Sequence, residues 1–488
     1  MSSEVSILLS LAIPLTGALL IALTGRWPNV RETITLLTAV ALMLTVWQLF
    51  PEVMDGARPA VSLGQMMPGI SIAFKVEPLG MLFAALASML WLVNSVYSIG
   101  YMRGNGEKHQ TRFYVCFAIA LSATMGVAFA ENLLTLFLCY EILTLSTYPL
   151  VSHKGDPATI RSARTYLGIL LGTSIGLFLP AIIWTYQISG TLDFTVGGIL
   201  TGKMSGPAVG LLLGLFAFGI GKAALMPVHR WLPAAMVAPT PVSALLHAVA
   251  VVKAGVFTVT KVIVYIFGVD FLFGQPSSSW LIPTACFTII AASIVALHQI
   301  NLKRMLAYST ISQLSYIVLA AAVLKPLAEI GAALHMVSHA FGKITLFFAA
   351  GAIYVASKKT ELNQLRGIGH RMPWTMTAFT IGAISMIGVP PTAGFVSKWY
   401  ILGGALQGQH YLVVFTLIAS TVLNAAYFLP ILYRAWLSKE TDPNKLKHGE
   451  APWPMLLALV TTATLTLAFF VYNQPVIDLE SQLVGRSK

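Results

Sequence analysis

Apolar stretches of bilayer-crossing length recur along almost the whole chain, separated by short loops. Hydrocarbon offers the backbone no hydrogen-bond partners, so stretches of this kind are expected to close their own bonds as helices. Each crossing needs about 20 residues. The expected class is therefore all-α, a polytopic membrane bundle with spans near 5–24, 32–50, 78–100, 113–130, 132–151, 165–189, 207–226, 242–268, 280–298, 305–323, 328–355, 372–405, 412–433 and 453–473, about 14 transmembrane helices in all. Composition agrees, because only 10% of the 488 residues are charged and 57% are hydrophobic, whereas about a quarter are charged in a typical soluble domain.

The placement of lysine and arginine tests that count independently. Of the 30 basic residues, 19 fall in the loops joining helices 1/2, 3/4, 5/6, 7/8, 9/10, 11/12 and 13/14. Six fall on the opposite side: Arg58, Lys75, Lys203, Lys325, Arg486 and Lys488. The positive-inside rule then puts the odd-numbered loops in the cytoplasm and both termini on the non-cytoplasmic side of the cell membrane. The same bias accounts for most of the net charge of +12, so no nucleic-acid partner is expected. The start, MSSEVSILL, has an acid where a signal peptide would carry its basic region, and helix 1 is expected to remain in the mature protein. Cys116, Cys139 and Cys286 lie singly in apolar spans without disulfide, zinc or redox spacing, and read as small core hydrophobes.

Five lysines remain inside the spans, Lys222, Lys253, Lys261, Lys343 and Lys398, and Glu141 is the one deep acid. A charge at mid-bilayer costs about 2.5–3.5 kcal/mol on insertion scales, so such residues usually face a bundle interior and act in transport. Glu141, central in "LTLFLCYEILTLSTYPL", would stay protonated unless a cation held it ionised. Lys222, in "FAFGIGKAALMPVHRWLP", lies between a Gly-rich turn and Pro227, which predicts a broken helix lining a cavity. The stretch is no phosphate loop, because Phe216 stands where its first glycine would and Ala223 follows the lysine. Lys253, in "PTPVSALLHAVAVVKAGVFTV", is too deep to snorkel. His247, six residues earlier, faces an adjoining sector and reads either as a station beside it or as a bridge between helices. Lys261, near its helix end, is expected to snorkel. Lys398, in "GVPPTAGFVSKWY", sits beside a second break, although Trp399 leaves open an interfacial anchor.

In "HMVSHAFGKITLFFAAGAIY" (335–354), His335, His339 and Lys343 follow one another at four-residue steps, which stacks them on one side of a helix. The stripe is about 12 Å long at 1.5 Å per residue. Histidine titrates near neutrality, and an amine taken out of water gives up its proton more readily. The pattern suits a proton relay; the plainer reading is three polar residues bridging neighbouring helices.

Four stretches, "HRWLPAAMVAPTPVSALLHAVAVVKAGVF" (229–257), "LKRMLAYSTISQLSYI" (302–317), "HMVSHAFGKITLF" (335–347) and "GVPPTAGFVSKW" (388–399), resemble the signature regions of the antiporter-like membrane subunits shared by respiratory complex I and Mrp-type cation/proton antiporters. The resemblance implies two inverted five-helix repeats with helices 7 and 12 broken. The chain would divide into helices 1–3 (1–112), a first repeat of helices 4–8 (113–268), a second of helices 9–13 (269–437) and helix 14 (438–488). It also implies that Glu141 and Lys222 form an acid/base pair, that Lys253, with His247 beside it, connects onward, that His335, His339 and Lys343 continue the axis, and that Lys398 is the terminal station.

A compact protein similar to the D subunits of Mrp antiporters fits the outline best; proton-pumping subunits of NADH:quinone oxidoreductases and membrane-bound hydrogenases share its ancestry. The expected function is proton translocation within a multisubunit complex. The expected partners are other membrane subunits, the lipid bilayer, and protons with Na+ as a candidate coupling ion. No cofactor or metal is expected, so electrons or a sodium gradient would come from partner subunits. Two rival classes are a haem- or quinone-binding redox subunit using His247, His335 or His339, and a passive membrane scaffold.

Overall fold

Proline and capping residues set most helix boundaries. The computed structural model describes residues 2–67, 69–439 and 449–484, with the side chains of residues 246, 247 and 484 outside the description. Two helices, α1 (Ser3–Leu23) and α2 (Pro28–Trp47), lead into a short α3 (Phe50–Met54). An antiparallel hairpin follows, β1 (Ala60–Met67) and β2 (Ile70–Lys75), which the helical reading did not anticipate. Its second strand tucks Ile70, Ala73 and Phe74 inward, and Phe74 bridges to Ala130.

Next come α4 (Pro78–Gly104), α5 (Gln110–Phe129) and α6 (Leu133–Val151). The tight α5–α6 boundary is made by Asn132, whose side chain accepts the Thr135 N–H at 2.8 Å and so caps α6. A π-helical turn, Ser174–Phe178, joins α7 (Pro157–Thr173) to α8 (Leu179–Ser189) in one long span.

Among the described residues, 11 helices are long and apolar enough to cross a membrane. The other three expected spans, 207–226, 242–268 and 372–405, are each interrupted. In the first, α9 (Pro207–Gly219) ends in a 3-10 turn, Gly221–Ala223, before a short α10 (Trp231–Ala234). In the second, α11 (Thr240–Ala244) passes through a π turn, Leu245–Val249, into α12 (Val251–Lys261) and a further π turn ending at Phe267. That irregularity was not foreseen. After α13 (Val269–Phe273), α14 (Leu281–Leu297) and α15 (Leu302–Ala322) comes α16 (Pro326–Ser357), 32 residues long. In the third interrupted span, α17 (Pro373–Ile387) stops at Gly388, whose φ of +91° is the left-handed cap that glycine adopts without strain, and α18 (Ala393–Gln407) restarts beyond it. The fold closes with α19 (Tyr411–Trp436), α20 (Trp453–Val471) and an amphipathic α21 (Gln474–Val484).

Burial sorts these helices. α4, α5, α15 and α16 are covered over most of their surface, and every residue of α12 is buried, whereas α1, α2, α19 and α20 are largely open on one side. The ionisable residues singled out in the sequence lie mostly in or against that covered centre. The beginning of α1, α3 and α21 share one end of the bundle: Ser3 donates to Glu52 at 2.5 Å, and Gln482 donates to the Met54 carbonyl at 2.8 Å. We call this end the terminal face.

Candidate functional site

Interrupting a helix frees carbonyls that must be satisfied elsewhere, and at two of the breaks a buried lysine sits among the freed groups. Lys398 reaches back from α18, and its ammonium donates to the carbonyls of Met386 and Ile387, at 2.9 and 2.8 Å, at the end of α17. A cation at a helix C-terminus is also favoured by the helix dipole. Lys222 lies in the 3-10 turn with no exposed surface, donating to the Tyr140 carbonyl (2.7 Å) and the Thr144 hydroxyl (2.6 Å) of α6 and lying 3.0 Å from the centre of the Tyr140 ring.

Glu141 lies between those two α6 contacts, yet among the described residues it makes no ion pair within 4.0 Å of Lys222. Both its carboxylate oxygens are covered and without a hydrogen-bond partner. The expected acid/base pair is therefore close but not in contact: Tyr140 and Thr144 hold the amine, and Glu141 is left for water or a proton to satisfy.

Lys253 is fully buried on α12, and its amine lies 2.8 Å from His339 Nδ1 on α16. Two residues on, Gly255 lets α12 meet the first break, since a Cβ there would collide with Lys222 C and Ala223 N. His247 falls in the π turn, and its side chain lies outside the described residues.

The stripe on α16 fans out. Four residues turn a helix by about 400°, so each step advances about 40° and the three side chains diverge. His335 Nδ1 meets Ser397 Oγ of α18 at 2.9 Å, and its ring stacks on Tyr316 at 5.2 Å with planes 18° apart. His339 turns to Lys253, and Lys343 donates to Ser309 Oγ of α15 at 2.6 Å. Ring centres of His335 and His339 are 6.2 Å apart.

Two routes then reach Lys398. Its amine lies 5.1 Å from the Tyr316 ring centre, the ring on which His335 stacks. Separately, Ser309 meets the Tyr427 hydroxyl at 2.8 Å, Tyr427 donates to Asn424, and Asn424 donates to the Met386 carbonyl at 3.2 Å, the same carbonyl that Lys398 engages. The residues completing these routes, Ser309, Tyr316, Ser397, Asn424 and Tyr427, were not singled out by charge. A signal existed for some: Ser309 and Tyr316 lie in the 302–317 signature stretch, and Asn424 is a lone amide in an apolar helix.

Lys261 departs from expectation. It does not snorkel but is fully buried, donating to the Ala130 carbonyl at 2.7 Å and pairing with Glu77 at 3.4 Å. The β2 strand and the cap before α4 bring Glu77 there, which sequence spacing could not show. Breaking a buried ion pair from one side costs about 3–5 kcal/mol. Glu77→Gln is expected to lower the thermal unfolding temperature of the detergent-solubilised protein clearly, while Lys75→Gln, at a half-exposed position 3.9 Å from Glu77, should change it little.

Comparison with known proteins bears on what such an arrangement is for. Residues 130–424 match the family model described as "NADH:quinone oxidoreductase/Mrp antiporter, TM". The NADH-quinone oxidoreductase subunit N of Desulforudis audaxviator is 34% identical over 79% of this chain and 77% of its own length. The D subunit of the Na(+)/H(+) antiporter of Alkalihalophilus pseudofirmus is 25% identical over 98% and 96%. Among solved structures, the Mrp complex from Dietzia sp. contains a chain that superposes with a TM-score of 0.87 over 99% of this chain and 97% of that one, at 20% identity, a likeness of fold. The family match spans both the α9 and α17–α18 breaks, Lys222, Lys253 and Lys398, and this chain belongs to the NADH:quinone oxidoreductase/Mrp antiporter transmembrane family.

Proposed function

We propose that this chain carries protons across the cell membrane as one subunit of a multisubunit cation/proton antiporter or a related energy-converting complex. The observation that carries this reading is the fully buried Lys253–His339 contact at 2.8 Å, in which one proton can belong to either nitrogen. A lysine amine and an imidazole both gain and lose protons, so the contact can pass a proton from one helix to the other. In this scheme Glu141 and Lys222 load the relay, Lys253 and His339 pass the proton to His335, and Lys398, with Lys343 on the parallel branch, is the far station. His247 stands in the chain beside Lys253. Other membrane subunits supply the driving reaction or gradient, Na+ being a candidate coupling ion, and the termini lie on the non-cytoplasmic side.

A second parent complex, an NADH:quinone oxidoreductase-type pump, is favoured by the 34% identity to a subunit N. Purifying the intact assembly and identifying its subunits decides between the two. Within either, Lys222→Ala and Glu141→Ala, reconstituted in vesicles as part of the complex, are expected to abolish proton flux while the subunit stays assembled. Wild-type flux in either variant overturns the scheme.

A further inference from the structure

A second set of ionisable groups lies at the terminal face, away from both helix breaks. The amphipathic α21 packs on α3, α4 and α16 and turns Glu480 inward, leaving it 5% exposed. Glu480 Oε1 is buried without a hydrogen-bond partner, and it faces a small cavity that Glu329, near the start of α16, also lines. The remaining walls are Thr260 of α12 and apolar residues, among them Ala332, Ala333 and Met336. Two carboxylates around one largely apolar cavity cannot comfortably both be charged.

The cavity is aimed at the relay. Thr260 follows Lys253 by seven residues, two helical turns, so it stands on the same face of α12 about 10 Å nearer the terminal face. Met336 lies three residues, about one turn, from His339. The Lys253–His339 contact thus lies about two turns of α12 below the cavity, with His335 beside Met336 on α16. Thr260 donates its hydroxyl hydrogen to the Val256 carbonyl at 2.9 Å, so its oxygen is free to accept from a water in between.

We propose that Glu329 and Glu480 form a proton port that shares one proton and connects the terminal face to the Lys253–His339 station. This rests on the translocation reading above. A proton arriving from the terminal face converts one carboxylate to a carboxylic acid. When Lys253 is a neutral amine, that O–H bond breaks, water relays the proton past Thr260, and an N–H bond forms on Lys253, while a proton from the terminal face re-forms the O–H bond so that the port keeps one negative charge. The reverse sequence releases a proton outward.

Burial, and secondarily the charge of Glu329, pushes the Glu480 carboxyl up to about 8. Among the groups near the pair, Asp270 at the start of α13 acts on Glu329 and Tyr265 lies within reach of Glu480; Arg58 and Glu77 act on Tyr265, and Glu77 pairs with Lys261. Lys325, just before α16, lies against Phe273 at 4.1 Å. A raised acid binds its proton more tightly in the docked helix than in the unfolded chain, so docking is strongest at acid pH and weakens as pH rises toward and through about 8.

Docking does not depend on Glu480 alone, since Gln482 accepts from Arg58 at 2.6 Å and donates to the Met54 carbonyl at 2.8 Å. Glu480→Gln also keeps the shape of the protonated form, so the variant should fold. Infrared titration of the intact complex is expected to show a protonated-carboxyl C=O band with a midpoint near pH 8. Glu480→Gln should remove that band, and Glu329→Gln should move its midpoint to lower pH by removing a like charge. In vesicles, Glu480→Gln should slow proton flux about tenfold or more, and Glu480→Asp should restore much of it. A carboxyl band unchanged in Glu480→Gln, or full flux in that variant, overturns the port. A midpoint that moves with sodium at constant ionic strength overturns the proton assignment in favour of a metal cation. A band that behaves as expected in a wild-type complex carrying no proton current overturns translocation and leaves the shared proton standing.

Discussion

A Lys253→Met variant is expected to stay assembled in the membrane and to lose proton flux by about 100-fold or more, the lower end of what a positioned acid/base group contributes. Methionine fills much the same volume without a charge, so the buried site stays packed; the loss is one hydrogen bond to His339, about 1–3 kcal/mol for a buried partner left unsatisfied. Lys253→Arg separates proton transfer from charge. Arginine keeps its proton at any physiological pH, so it cannot cycle, and an amine that could discharge becomes a fixed cation in a fully buried site. Flux should be lost equally, but the unfolding temperature in detergent should fall further than for methionine, because an uncompensated buried charge costs several kcal/mol. Near-normal flux in Lys253→Met would falsify a path through this contact.

Gly255→Val should damage both stability and transport. The Cβ of any larger residue would land on the main chain of Lys222 and Ala223, where no side chain can swing aside. Either α12 backs away from the 3-10 turn or the turn is displaced, and overpacking of this kind costs about 1–3 kcal/mol or more. Because the turn carries Lys222, the amine would also shift from the Tyr140 carbonyl and Thr144 hydroxyl that hold it. The expected result is a lower unfolding temperature together with loss of flux, whereas Gly172→Val, at a glycine with open space around it, should leave both near wild type. A Gly255→Val protein as stable and active as its parent would mean that the contact between α12 and the break is dispensable.

The membrane class was legible because lipid leaves so few choices: an apolar run of sufficient length becomes a helix, and a lysine within it faces inward or sits at an end. For Lys222 and Lys398 the flanking glycines and prolines also announced the breaks. Lys261 shows where that reasoning stops. Its position near a helix end suggested snorkelling, but β2 and the start of α4 bring Glu77 to meet it, and no spacing along α12 contains that information. The π turns around α12 were equally illegible, since Leu245–Val249 and Val262–Phe267 contain no proline or glycine to mark them. For the α16 stripe, periodicity gave the right side of the helix but not the partners; the 40° advance per step sends each residue to a different neighbour.

The sequence by itself determined the solvent, the helical class and the short roster of buried titratable residues, because each follows from local composition set against the cost of placing charge in hydrocarbon, and its four signature stretches carried the family resemblance. Only the tertiary structure decided which of those residues meet. It put Lys253 on His339, gave Lys222 to Tyr140 and Thr144 rather than to Glu141, joined Lys343 to Lys398 through uncharged Ser309, Tyr427 and Asn424, and folded Glu480 back onto Glu329. The physical reason is that hydrogen bonds act over about 3 Å, and which groups come within that distance depends on the packing of helices far apart in the chain.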